Sequence, residues 1–202
     1  AIEADFARVP TMFDANAFGL FNVVTAFAPL LIAAVPSARS GPTIVNVASV
    51  LVRIPAPFSS AYNALKAAVA TYSDALRMEL GPFGIRVVTL FMGAVSTRLM
   101  GKVDISFKPD SLYTDVEFKF RERTANHIET AMKAEAFAPQ AIPMVLSNGG
   151  SGYVWRGESA SLFCLLDSFG PRKVFNSTLK SEAGFTDKAL CDQIYKRGQS
   201  LI

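Results

Sequence analysis

Tyr62 and Lys66 stand four residues apart in Ala61-Tyr62-Asn63-Ala64-Leu65-Lys66, a spacing that places both on one face of a helix. An ammonium beside a phenol favours the phenolate and draws a tyrosine pKa from about 10 towards neutrality. Such a tyrosine can exchange a proton with a substrate oxygen. The spacing alone is a weak signal, because a core tyrosine beside a lysine whose stem covers apolar surface reads equally well. Ser49 adds to it: it lies 13 residues before Tyr62, directly after the apolar run Thr43 to Ala48. Ligands of open α/β sheets bind at the carboxyl ends of strands, so a hydroxyl there can hold a substrate oxygen while Tyr62 supplies the proton. Asn16, in Asn16-Ala17-Phe18-Gly19, could anchor a water that passes protons to Lys66. Taken singly, Ser49 is a turn hydroxyl and Asn16 a helix-packing amide; together the four are specific.

The elements that must position them follow from the hydrophobic pattern. The first 35 residues predict one helix, with Pro10 near an early turn and Pro36 beyond its end, then a turn-rich loop from Pro36 to Pro42. The β-branched run Thr43 to Ala48 predicts a strand buried on both faces. Pro55 and Pro57 make Val50 to Ser59 a loop, and Ser60 to Leu80 predicts a long helix stopped by Gly81, Pro82 and Gly84. Ile85 to Phe91 predicts a second buried strand. Strand, helix and strand make a βαβ unit, hence a parallel sheet. Beyond Gly93 the pattern predicts helices over Val116 to Lys133, Gln140 to Leu146, Ser159 to Leu166 and Thr186 to Arg197, with a strand at Tyr153 to Trp155. No repeat or linker divides residues 1–202, so one domain is expected.

Composition narrows the function. Of 202 residues, 50% are hydrophobic and 18% charged, and net charge is only +3; without a basic cluster, a nucleic-acid partner is not expected. One histidine (His127) and two cysteines (Cys164, Cys191) exclude a Cys/His zinc cluster and suit two free thiols. No metal is expected. Ala15 to Ala38 runs without a charge, which is long enough to span a membrane. Yet Asn16, Asn22, Thr25 and Pro29 interrupt it, and a helix buried in a core or interface is the reading preferred. No secretory-signal pattern opens the sequence, and a cytoplasmic location is expected.

With these residues in place, the sequence resembles the short-chain dehydrogenase/reductase family. The matching residues are Asn16 with Gly19, Ile44-Val45-Asn46-Val47-Ala48-Ser49, Tyr62-x-x-x-Lys66, and Gly93-Ala94-Val95-Ser96-Thr97. Within the family, Ala61 to Met100 and Tyr153-Val154-Trp155-Arg156-Gly157 look most like fungal acyl-dihydroxyacetone-phosphate reductases. The resemblance implies an α/β fold, a partial doubly wound Rossmann-like parallel sheet with C-terminal helices. It also implies a catalytic tetrad of Asn16, Ser49, Tyr62 and Lys66, and nicotinamide-coenzyme contacts from Tyr62, Lys66, Gly93, Val95 and Thr97. Met92 and Leu65 depart from the family's usual Pro and small residue. The larger departure is the Gly-rich pyrophosphate turn: no G-x-x-x-G-x-G occurs, and Gly149-Gly150-Ser151-Gly152 follows a predicted helix rather than a strand.

The implied activity is NADP(H)- or NAD(H)-dependent reduction of a ketone, lipid-like on the subfamily resemblance, on condition that the fold is completed. Coenzyme-free isomerase, cyclase or dehydratase chemistry at Tyr62 and Ser49 is the alternative, in which this chain alone takes no cofactor; a non-catalytic paralogue or fragment is the third reading. Three explanations of the missing part stay open: a fragment of an ordinary reductase, a natural short protein, or a subunit completed by another chain. The expected partners are a small carbonyl substrate and a second copy of this chain, packed through helices 6–35 and 60–80, because a strand left with an open edge calls for cover. Trp155, Leu162, Phe163, Leu165, Leu166 and Phe169, with Arg156, Arg172 and Lys173 nearby, offer a peripheral membrane contact as the alternative to a lid or core helix.

Overall fold

The computed structural model describes residues 2–38, 40–97, 106–147, 150–171 and 173–201. Its centre is a parallel three-stranded sheet of β1 (Thr43–Ser49), β2 (Arg86–Met92) and β5 (Tyr153–Arg156), in the order β1-β2-β5. β1 and β2 pair along their full lengths, from Thr43 opposite Arg86 to Ser49 opposite Met92. A second, two-stranded parallel pairing joins β3 (Val95–Ser96) to β4 (Met132–Lys133).

The crossover from β1 to β2 is α3 (Ser60–Leu80). Alanine and leucine dominate it, both strong helix formers, and Leu65, Val69, Ser73, Leu76 and Leu80 recur at intervals of three and four on its buried face. That face packs on Ala48, Val87 and Phe91 of the sheet. Asn46 and Ser73 are buried within the same layer and bond to each other, Asn46 Nδ2 donating to Ser73 Oγ at 2.9 Å. The opposite face of β2 and β5 is covered by α5 (Ala134–Leu146), whose Phe137 and Val145 meet Val88, Leu90 and Val154.

The N-terminal segment departs from expectation at its start. Residues 2–7 lie outside any helix, α1 spans Arg8–Phe13, a π-helical turn follows at Asp14–Phe18, and α2 is Gly19–Ala34. Of the two placements expected for the run Ala15 to Ala38, the core of this chain is not the one observed: Ala17 and Val24 are its buried residues, while Phe18, Val23, Phe27 and Leu30 are exposed. The helix Arg8–Ser37 is long and apolar enough to cross a membrane by length and composition.

Downstream, α4 (Glu117–Thr130) ends before the predicted Lys133, which belongs to β4. α5 begins six residues earlier than predicted, despite Pro139 and Pro143, because its apolar face docks on the sheet. α6 (Ala160–Phe169) and α8 (Lys188–Gln199) lie near their predicted places, and α7 (Asn176–Glu182) is additional. The proposed apolar patch divides. Leu162, Leu165 and Phe169 are exposed, whereas Trp155 stacks on Phe91 at 4.3 Å and Phe163 packs on Phe175. Arg172 of that patch, Gly149 of the glycine-rich stretch and residues 98–100 of the family-like segment lie outside the described residues. Gly152 serves another purpose: a Cβ on it would meet Arg77 Nε at 2.5 Å. Arg77 Nη2 donates to the Gly152 carbonyl and to Thr89 Oγ1, and Nη1 to Asp74 and Tyr153, tying α3 to β2 and β5. Cys164 and Cys191 are free thiols.

Candidate active site

Ser49 ends β1 and is buried. Its Oγ accepts from the Leu51 amide at 3.2 Å, which fixes the hydroxyl where the strand gives way to a loop. Tyr62 stands in the first turn of α3, with its hydroxyl beside that of Ser49. The βαβ unit thus closes on itself: strand end, loop and helix start bring two hydroxyls 13 residues apart into contact. Burial pushes the Tyr62 hydroxyl above its ordinary range, and the Ser49 bond pulls in the other direction.

Lys66 lies one turn further along α3, its Nζ 5.9 Å from the centre of the Tyr62 ring. The ammonium donates to the Val47 carbonyl at 2.9 Å, on the edge of β1 that carries no neighbouring strand among the described residues. Burial draws the Lys66 ammonium below its ordinary value. The expected drop in the Tyr62 pKa is therefore not realised in this arrangement. Spacing puts the two groups on one face, but desolvation outweighs any stabilisation of the phenolate and Lys66 is engaged elsewhere.

Asn16 sits in the π-helical turn, exposed, with Nδ2 donating to the Met12 carbonyl at 3.0 Å. π-helical turns are rare and concentrate at functional sites. Asn16 and Lys66 line one open cleft of about 400 Å³ with Gly19, Leu20, Val47 and Val69. The four residues are thus brought together as two pairs: Ser49 beside Tyr62, and Lys66 with Asn16 across the cleft. A second cavity of about 210 Å³ lies by Arg53, Asp167 and Phe175.

The other expected coenzyme contacts surround the end of β2, at the same level as Ser49. Gly93 donates its N–H to the Arg156 carbonyl at 2.8 Å, and a Cβ there would meet the Glu158 carbonyl oxygen at 2.3 Å. Its smallness thus lets the chain at Gly157 and Glu158 pass closely. Val95 is buried in the β3–β4 pairing, and Thr97 is exposed. Sequence reasoning missed Asn63, whose Nδ2 holds the Ile54 carbonyl at 3.0 Å, and with it Phe58 and Arg123. Asn63 adjoins Tyr62 on the helix and could have been flagged; the other two carry no local signal.

The family pattern described as short chain dehydrogenase matches residues 1–106, and the chain belongs to that family. Among curated relatives, the short-chain dehydrogenase virD of Hypocrea virens is 30% identical over 177 residues, 87% of this chain and 59% of its own length. The NADPH-dependent 1-acyldihydroxyacetone phosphate reductase of Schizosaccharomyces pombe is 34% identical over 154 residues, covering 74% of this chain and 50% of that protein. The chain therefore spans about three fifths of the length of the first of these relatives, and half of the second. Among solved structures, a short-chain dehydrogenase from Streptomyces avermitilis is 26% identical with a TM-score of 0.62, over 82% of this chain and 59% of that one. One from Burkholderia cenocepacia in complex with NADP shares the fold at a TM-score of 0.61 and 24% identity, over 88% of this chain and 63% of that one.

Proposed function

We propose that the protein to which this chain belongs reduces a ketone with a nicotinamide coenzyme, using Tyr62 as proton donor, Ser49 as the group that holds the carbonyl oxygen, and Lys66 with Asn16 on the coenzyme side. The observation that carries this reading is the placing of the Tyr62 hydroxyl beside Ser49, at the carboxyl ends of two parallel strands, where ligands of such sheets bind. The relative from Schizosaccharomyces pombe, by its name, favours NADPH and a lipid-like ketone.

The residues present fit one end of the coenzyme. Lys66 and Tyr62 would hold the nicotinamide ribose from the open cleft, whereas the pyrophosphate has no Gly-rich turn in these 202 residues. When bound, the coenzyme supplies the hydride. The chain's own part is the proton. Because burial keeps the Tyr62 hydroxyl protonated at neutral pH, it suits donation to a carbonyl oxygen, that is, the reductive direction. Ser49 Oγ, already ordered by the Leu51 amide, orients that oxygen towards the phenol. Lys66 must leave the Val47 carbonyl to reach a ribose; in that position its charge would also favour the phenolate left after proton transfer.

The test is coenzyme binding and oxidation. NADPH or NADH should raise the thermal midpoint and be oxidised in the presence of a ketone, and Tyr62→Phe should lower the rate by about 10²–10⁴ while coenzyme binding persists. If the intact protein bound neither coenzyme at millimolar concentration, or if Tyr62→Phe left the rate unchanged, the reading would fail.

A further inference from the structure

Phe58 holds a left-handed backbone with φ 67°. That conformation is costly for a bulky residue and persists only where the surroundings over-determine it. Here they do. The Phe58 ring meets those of Phe107, Tyr113, Phe120 and Phe185 at centroid separations of 5.0, 5.4, 5.5 and 5.8 Å. The carbonyl of the preceding Pro57 accepts from Arg123 Nη2 at 3.0 Å, and the Arg123 guanidinium lies 5.2 Å from the Phe120 ring centre. Both residues belong to the loop that separates Ser49 from Tyr62. At one end of that loop, the Leu51 amide bonds Ser49 Oγ; at the other, Asn63 holds the Ile54 carbonyl.

We propose that Phe58 and Arg123 form a latch through which the C-terminal helices position loop 50–59 and, by way of it, the Ser49 hydroxyl against Tyr62. This rests on the reading of Ser49 and Tyr62 as the reacting pair; Phe58 and Arg123 are positioning residues that act through Ser49. The arrangement makes the tail of the chain a determinant of the site although no tail residue takes part in the chemistry. Only one Arg123 donor grips the loop. Nη1 is buried and has no partner among the described residues, so a side chain with a single donor can do the same work.

Ultraviolet titration of the full chain, less that of its Tyr62→Phe variant, isolates the Tyr62 phenol. Arg123→Met and Phe58→Ala should each raise its midpoint, because the Ser49 hydroxyl that holds it down is no longer kept beside it, by no more than Ser49→Ala does. Arg123→Lys should leave it where it was. In a Ser49→Ala background, Arg123→Met should add no further shift, the non-additivity that groups acting through one another show. An unchanged midpoint, a fall, or full additivity with Ser49→Ala overturns the latch. Should Phe58→Ala not fold, Arg123→Met, which leaves the aromatic cage whole, decides the matter. The titration uses neither coenzyme nor ketone, so a chain that transfers no hydride still gives an answer, and the two readings can fail separately.

Discussion

The two sides of β1 are built differently. On one side β2 pairs with it residue by residue, α3 packs over it, and Asn46, Ala48 and Ser49 are buried. On the other side the edge carries no strand among the described residues, Val45 and Val47 are 38% and 42% exposed, and the Lys66 ammonium bonds the Val47 carbonyl. The site follows this division. Ser49 and Tyr62 are held by the closed βαβ side, whereas Lys66 and Asn16 face the open cleft. A proton donor can be finished within one local unit, but a coenzyme site needs walls from both sides of the strand.

The largest effect expected is on assembly. Val23, Phe27 and Leu30 form an exposed stripe on α2, whose Val23 lines the open cleft, and exposed apolar patches of this kind mark contacts. Light scattering at micromolar concentration should return a mass of at least two chains, and Phe27→Lys together with Leu30→Lys should bring it down to one. A single-chain mass for the parent would mean that the open side stays open in solution.

Next in size is the closed side. Leu65 is 1% exposed beneath the sheet, so Leu65→Ala should cost about 2–5 kcal/mol in urea unfolding. Val47→Thr, on β1 and 42% exposed, should change stability by about 0.5 kcal/mol or less. Equal losses would show that the two sides are alike and break the comparison. Arg77→Met falls between these, at about 1–3 kcal/mol, because it leaves Thr89, fully buried, without the guanidinium that Thr89 Oγ1 accepts from at 2.7 Å.

How far the sequence was legible follows the same line. The closed side is coded locally. Two continuous β-branched runs flank a helix with buried residues every three or four positions, so β1, α3 and β2 could be read almost to the residue, and with them the places of Ser49 at a strand end and Tyr62 at a helix start. The open side was read less well. Tyr62 and Lys66 do share a face, but spacing carries no information about desolvation, and burial reversed the expected direction of the Tyr62 pKa. The π-helical turn at Asn16 leaves no periodic trace that a count of apolar residues could detect. Arg123 meets the Pro57 carbonyl across 66 positions of sequence, and the next residue, Phe58, holds a strained backbone, features that no residue type announces. In α5, Pro139 and Pro143 disfavour a helix, yet packing of Phe137 and Val145 on the sheet outweighs them.

The smallest effect expected is a pH dependence that sets the two sides against each other. Tyr62, on the closed side, titrates above its ordinary 10.0 in the folded chain. As pH climbs past 10.0 the unfolded chain gives up that proton first, so stability falls until the folded phenol ionises as well. Lys66, at the cleft, titrates below its ordinary 10.5. Between its folded value and 10.5 the unfolded chain holds the extra proton, so stability rises with pH across that interval and is lost as pH falls through the folded value. The two contributions oppose each other near pH 10. Urea midpoints measured across this range should fall more steeply with pH in Lys66→Met than in the parent, and less steeply in Tyr62→Phe. A cover over the cleft would bury Lys66 further, widening its interval downwards and leaving that of Tyr62 alone. A parent protein in which only the Lys66 contribution depends on protein concentration would therefore identify the open side of β1 as the surface that a second chain completes. Concentration dependence in the Tyr62 contribution would place the contact elsewhere.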